Sequence, residues 1–255
     1  MRVFLLMLTV PVMLTGVLHA QTDPTPYEQA QARIAEHVPE QETSINLCCL
    51  GLTEIPPEVW ELTHLETLWL DNNNLEALPP EIGQLRWLRQ LRIGNNSLTT
   101  LPPEIGELKL LEILFAQENQ IERLPASFGE LRSLQRLDLS SNQLESLPSQ
   151  FGGLYRLQTV WLTDNQLSLL PLSVGDMSHF IDFDATGNPL EVPPSDVAED
   201  GIRAIEDYYA VPGAPRQLRA APWITLVGVI AGAMGGLHLA GRRLRRHTPE
   251  AIDAG

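Results

Sequence analysis

Residues 65–87 read LETLWLDNNNLEALPPEIGQLRW, and this unit recurs along the chain. Asn73, Asn96, Asn119, Asn142, Asn165 and Asn188 follow one another at intervals of 23 residues. Two positions after each stands an apolar residue: Leu75, Leu98, Ile121, Leu144, Leu167 and Leu190. A fixed period of this size marks a stacked repeat, in which no single unit can bury its own apolar face. Stacking the units buries a continuous core, and the period then dictates which residues become neighbours.

Each position in the unit has a physical task. The segment Leu68-Trp69-Leu70 alternates inward and outward, as a short strand does. One turn later the chain predicts Asn73 inside, where its amide needs partners from backbone nearby. Repeated in every coil, this gives a ladder of side-chain to main-chain hydrogen bonds. The return arm opens with Leu-Pro-Pro-Glu at 78–81 and again at 101–104. Proline suits a first helical turn, where its missing N–H costs nothing. Glu81 and Glu104 sit where a helix dipole favours negative charge. Gly83, Gly106, Gly129, Gly152 and Gly175 recur at the end of this turn and are expected there to supply positive φ.

This pattern resembles the leucine-rich repeat superfamily. The 23-residue form with Leu-Pro-x-x-Ile-Gly is similar to the Ras-group subfamily of plants and animals and to the repeats of bacterial roco-type proteins. The resemblance covers roughly Glu42 to Val211. It implies an α/β solenoid, a curved horseshoe with a parallel β-sheet on its concave face and short helical or 3₁₀ turns on its convex face. Five copies starting at Leu65, Leu88, Leu111, Leu134 and Leu157 are nearly regular. The ends depart from the pattern, as capping units do. At the start, Glu42 stands for the first leucine and Leu50 for the ladder Asn. Before that, Tyr27 to Val38 is expected to form a helix covering the core edge with Tyr27, Ala30, Ile34 and Val38. After Pro194 and Ser195, a helix start, a second cap places Val197, Gly201, Ala204, Ile205 and Tyr208 on one side. It resembles the terminal helix of roco-type arrays.

Two apolar segments lie outside the repeats. Arg2 precedes an uncharged run from Val3 to Val17, and Leu18-His19-Ala20 precede a polar Gln21. This reads as a secretory signal cleaved after Ala20, with an uncleaved N-terminal anchor as the alternative. Ala220 to Gly241 carries no formal charge and is long enough to span a bilayer core of about 30 Å. Trp223 stands near one boundary, and Arg242, Arg243, Arg245 and Arg246 follow the other. The positive-inside bias puts the tail in the cytoplasm and the repeats outside. The expected organisation is a signal peptide at 1–20, an N-terminal helical cap at 21–43 and leucine-rich repeats at 44–190. A C-terminal helical cap at 191–211, a tether at 212–219, a transmembrane helix at 220–241 and a cytoplasmic basic tail at 242–255 follow. Gly228, Gly232 and Gly236 recur every four residues in the span and leave one smooth helix face, suited to self-association.

Charge and motif content bound the function. Between Gln21 and Ala220 there are 30 Asp+Glu against 12 Lys+Arg. Such an acidic segment disfavours nucleic acid and anionic lipid and suits a basic protein or peptide. Cys48 and Cys49 are adjacent, a geometry that strains a mutual disulfide. No nucleophile elbow, zincin, P-loop or dinucleotide-binding signature occurs, so the chain is expected to be a binding protein without cofactor or metal. The Ras-group and roco-type relatives are largely cytoplasmic and many serve GTPase signalling. A cytoplasmic scaffold and an adhesive surface protein are therefore the competing readings.

In the fold that the resemblance implies, residues between the buried leucines point outward on the concave face and form columns. One column runs Asn46, Trp69, Arg92, Phe115, Asp138, Trp161, Asp184. Its neighbour runs Ser44, Thr67, Gln90, Ile113, Arg136, Thr159, Asp182. A third runs Cys48, Asp71, Gly94, Gln117, Ser140, Thr163, Thr186. Aromatic and Arg side chains are enriched at binding hot spots. Trp69, Arg92, Phe115, Arg136, Asp138 and Trp161 are thus the candidate partner site, expected to be solvent-exposed. The alternative is that these aromatics cover their neighbours and brace the sheet. Asp182 and Asp184 read more simply as a solvated terminal face than as a cation site.

Overall fold

The computed structural model describes residues 23–37, 42–175 and 181–210. Seven strands of three residues each form one parallel sheet in chain order: β1 Ser44–Asn46, β2 Thr67–Trp69, β3 Gln90–Arg92, β4 Ile113–Phe115, β5 Arg136–Asp138, β6 Thr159–Trp161 and β7 Asp182–Asp184. Every Cα pair in the register joins residues 23 apart, from Ser44↔Thr67 to Trp161↔Asp184. The sequence period is therefore the sheet register. Opposite the sheet run five 3₁₀ turns, Pro57–Glu61, Pro80–Gln84, Pro103–Glu107, Ala126–Glu130 and Ser149–Gly153, and a short helix α2, Leu172–Gly175. A proline precedes each 3₁₀ turn at its start, in keeping with the preference for fixed φ at a helical entry.

Between the two layers lies a core of stacked side chains from every coil. Leu65, Leu68, Leu70, Leu75, Ile82 and Leu85 of the second coil are fully buried, and their counterparts in later coils continue each row. Apolar burial at this density is the main favourable term in the fold.

The Asn ladder is built through backbone of the preceding coil. The Asn119 amide donates from Nδ2 to the carbonyls of Ala116 (3.1 Å) and Gln117 (3.2 Å) in its own coil and of Ile93 (3.0 Å) one coil back. Its Oδ1 accepts from the Leu98 N–H at 3.0 Å. Asn96, Asn142, Asn165 and Asn188 repeat this set. Asn73 does so against the first coil, where its Oδ1 takes the N–H groups of Leu50, Gly51 and Leu52. The first coil has no coil behind it to bond, which explains why Leu50 replaces Asn at that position.

Positive φ falls elsewhere than at the recurring glycines. It lies one residue before each ladder Asn, at Asn72 (55°), Asn95 (52°), Glu118 (55°), Ser141 (54°), Asp164 (54°) and Gly187 (72°), and at Cys49 (62°) in the first coil. Gly83, Gly106, Gly129 and Gly152 are instead required by close approach of the next coil. A Cβ on Gly106 would lie 2.6 Å from the Ser127 carbonyl oxygen and 2.8 Å from Ser127 Cβ, and one on Gly129 would collide with the Gln150 carbonyl.

Both ends are capped. Helix α1, Pro26–Glu36, begins with a capping box between Thr25 and Glu28. Backbone and side-chain hydrogen bonds from Thr25 hold the Glu28 carboxyl below its usual range. Ala30 and Ile34 are buried against the first coil, Tyr27 is half-buried, and Val38 lies outside the described residues. Arg33 donates to the Asn46 carbonyl at 2.8 Å and Gln31 to Glu58 at 3.0 Å, fixing the helix to the first coil. At the other end the cap is two helices, α3 Ser195–Glu199 and α4 Ile202–Ala210, parted at Gly201 with φ 88°. The break resets the helical phase. The expected Tyr208 packs half-buried against the core, and Tyr209 is buried with its hydroxyl donating to the Leu170 carbonyl at 2.7 Å.

The expected signal peptide at 1–20 and transmembrane helix at 220–241, with Gly228, Gly232 and Gly236, lie outside the described residues. Among the described residues no helix is long and apolar enough to cross a membrane.

Replacing Asn119 by Leu leaves buried N–H and C=O groups of two coils without partners. It is expected to lower unfolding free energy by about 3 kcal/mol or more, measured by urea denaturation. Gly106→Ala, which forces the neighbouring arm outward, is expected to cost about 1–3 kcal/mol, whereas Ser141→Gly at a positive-φ position should change stability by under about 1 kcal/mol. Equal effects of the two changes would contradict the close-approach account.

Candidate functional site

Strand register brings the predicted columns together. Trp69, Arg92, Phe115, Asp138 and Trp161 are successive partners across β2 to β6, with Asn46 and Asp184 at the ends. Arg136 stands in the neighbouring column between Ile113 and Thr159. Adjacent members of a column are separated by the inter-strand distance of about 5 Å. The six candidates thus share one face of the sheet.

Their environment differs from full exposure. Trp69, Phe115 and Trp161 are half-buried. The Trp161 indole N–H donates to Asp182 Oδ2 at 2.8 Å. That bond fixes the ring and gives Asp182 a structural task. Asp138 and Asp184 each use one carboxylate oxygen to accept the backbone N–H two residues on, from Ser140 (3.0 Å) and Thr186 (2.9 Å). Among the described residues no three His, Cys, Asp or Glu side chains are grouped to hold a metal ion.

Arg92 is held on both sides. Its Nε lies 3.0 Å from Asp71 Oδ2, and its guanidinium stands 5.7 Å from the centre of the Phe115 ring, within cation–π range. The Nε–H is not aligned on the Asp71 oxygen as a hydrogen bond, so the contact is an ion pair by proximity. Asp71 is buried, and the Arg92 side chain is 41% exposed. The terminal guanidinium nitrogens pair with nothing among the described residues, and the Trp69 indole N–H, Asp71 Oδ1 and Gln117 Oε1 are buried without a hydrogen-bond partner. The Gln117 side chain lies over Gly94, where an added Cβ would meet it at 2.6 Å. The polar group that this face offers to solvent is the Arg92 guanidinium, ordered by Asp71 and Phe115.

Asp71, placed in the third column but not among the six candidates, stands against Arg92, and Gln117 of the same column lies over Gly94. The signal for them was present in the register. Residues two apart on a strand share a face, so Asp71 lies diagonal to Arg92 once Trp69 pairs with Arg92.

Comparison with known proteins accords with this geometry. A family model described as a leucine-rich repeat region matches residues 81–169, and one described as a leucine rich repeat matches residues 64–85. No curated protein matches the chain. Among solved structures, a leucine-rich repeat protein of Leptospira interrogans is similar over 67% of this chain and 55% of its own, with 28% identity and a TM-score of 0.51. A TDR receptor is 34% identical over 54% of this chain and 25% of its own, with a TM-score of 0.51. The structure of PEPR1-AtPEP1 is 26% identical over 53% of this chain and 20% of that one, with a TM-score of 0.50. This chain therefore spans about half the length of the Leptospira protein and a quarter or less of the other two. Leucine-rich repeats are in general scaffolds for protein–protein recognition. Residues 64–169 match leucine-rich repeat models, and the seven-stranded parallel sheet has the solenoid arrangement of that fold.

Proposed function

We propose that this chain is a membrane-anchored recognition module that binds a protein or peptide through its sheet face, the concave side of the fold, outside the cytoplasm. The observation that carries the binding reading is Arg92. A guanidinium fixed by Asp71 and Phe115, with its terminal nitrogens unpaired and Trp69 beside it, is preorganised for a partner. Preorganisation lowers the entropy lost on association. Trp161, pinned by Asp182 between Asp138 and Asp184, supplies a second rigid aromatic. Trp and Arg on one face are the residue types that dominate binding energy. The excess of 30 acidic over 12 basic residues between Gln21 and Ala220 favours a basic partner. Similarity to a TDR receptor agrees with a recognition role.

Anchoring rests on the sequence. The apolar run Val3–Val17, the charge-free segment Ala220–Gly241 and the four Arg that follow it support a single-pass protein with its tail in the cytoplasm. Gly228, Gly232 and Gly236 favour self-association of the span. Such an anchor keeps the repeats beside the bilayer, where a partner meets them in two dimensions.

Photo-crosslinking residues placed on the sheet face at Thr67 or Thr159 in the full chain should form adducts in cells that one placed at Glu81 does not. Arg92→Ala and Trp161→Ala should each reduce the adduct about tenfold, the scale of about 1.4 kcal/mol per hot-spot residue, with circular dichroism unchanged. Adducts that are insensitive to both substitutions would defeat the sheet-face reading. Protease added to intact cells or spheroplasts should digest the repeats and spare a tag on the tail. Protection of the repeats until the membrane is broken would make a cytoplasmic scaffold the better description.

A further inference from the structure

Five residues join each of the 3₁₀ turns at 80–84, 103–107, 126–130 and 149–153 to the next strand, and the second and third of the five form a turn at one edge of the solenoid. Stacking turns these into two columns, Arg86, Lys109, Arg132, Tyr155 and Trp87, Leu110, Ser133, Arg156. Four of these eight residues are cationic and none is acidic, in a chain of net charge −15. Trp87 is 59% exposed and Tyr155 58%, so the large exposed aromatics among the described residues both stand here. Arg86, Arg132 and Arg156 are exposed and make no ion pair with any described residue. Lys109 is held by Glu130, whose carboxyl is lowered by that hydrogen bond. The acids that flank the edge are Glu61, Glu107 and Glu130 on the side of the 3₁₀ turns, and Glu66 and Glu112 on the side of the sheet, where Arg89 contacts both.

We infer that this edge rests on the anionic headgroups of the membrane that holds the chain's own apolar segment. The inference depends on the membrane-anchored reading above. Helix α4 ends at Ala210, and nine residues separate it from Ala220. Nine residues reach at most about 30 Å, so the solenoid cannot leave the vicinity of the bilayer. The acidity of the whole chain does not oppose the contact. Charges more than about 8 Å from the surface are screened at physiological salt, and the two edge columns themselves carry four cations and no acid. Arg and Lys near an anionic surface each contribute favourably, and Trp and Tyr partition to the headgroup level. Seated on this edge, the solenoid keeps its sheet face open to the side, with the column from Trp69 to Trp161 free for a partner.

The test uses the full chain reconstituted into phosphatidylcholine vesicles with and without phosphatidylglycerol, the acyl chains brominated to quench nearby tryptophan. Trp60, Trp69, Trp161 and Trp223 also emit, so the signal of Trp87 is the difference between the native chain and Trp87→Phe. That component should be quenched only with phosphatidylglycerol present. It should lose most of its quenching in high salt and in the triple variant Arg86→Gln, Arg132→Gln, Arg156→Gln. Absent quenching, or quenching indifferent to phosphatidylglycerol and to the triple variant, overturns the inference. A triple variant that changes oligomeric state in detergent while leaving quenching intact also overturns it, in favour of contact between copies. Carbonate extraction reports the anchor separately. A chain that carbonate removes has no membrane span, and flotation then decides the edge: binding that needs phosphatidylglycerol and the three Arg sustains it, and binding without either overturns it.

Discussion

Each coil of this protein is too thin to fold alone, and the side-chain amide of one Asn per coil makes the next coil possible. Asn73 and its five successors each bond carbonyls in two coils with one nitrogen and accept a backbone N–H of the preceding coil with one oxygen. The turn after every strand carries N–H and C=O groups that no sheet partner can take, and burying them unpaired would cost about 1–3 kcal/mol each. The ladder removes that penalty with a side chain whose length fits the distance between coils. It also fixes where the chain turns, so that the residue before each Asn adopts left-handed φ whatever its identity: Asn72, Asn95, Glu118, Ser141 and Asp164 all comply.

With the turn fixed, the two layers divide the remaining constraints. On the sheet side, hydrogen bonds hold coils at the inter-strand distance. On the arm side the backbone of one coil touches the next, and Gly106 and Gly129 leave room for carbonyls of Ser127 and Gln150. The arms are thus set by contact and the sheet by hydrogen bonding. Side chains on the sheet face set neither of these spacings, so Trp69, Arg92, Phe115, Asp138 and Trp161 are released from holding one coil at its distance from the next. That freedom is why this face suits recognition.

Much of this was legible in the sequence, because a period of 23 residues is a register. Once Asn73 and Asn96 are aligned, Trp69 must pair with Arg92 and Phe115 with Asp138, and the columns follow. Three features escaped for physical reasons. Recurring glycines suggested positive φ, whereas closeness between coils also selects glycine and here does so. The C-terminal cap read as one helix, but Gly201 breaks it, and Tyr209 is buried as well as the half-buried Tyr208. Half-burial of the sheet-face aromatics was not legible in the register, because it depends on side-chain conformations such as the one that bonds Trp161 to Asp182.

Partial burial changes what the aromatics can contribute. A fully exposed Trp gains contact area on binding but loses rotamer freedom at that moment. Trp161 has already lost it, since Asp182 holds its indole N–H. Arg92 has likewise been ordered by Asp71 and Phe115. The folded chain meets that entropy cost in advance, through the same register that built the sheet. Under the proposed function, bracing the sheet and presenting a binding surface are one arrangement of side chains, ordered by Asp182 on Trp161 and by Asp71 and Phe115 on Arg92.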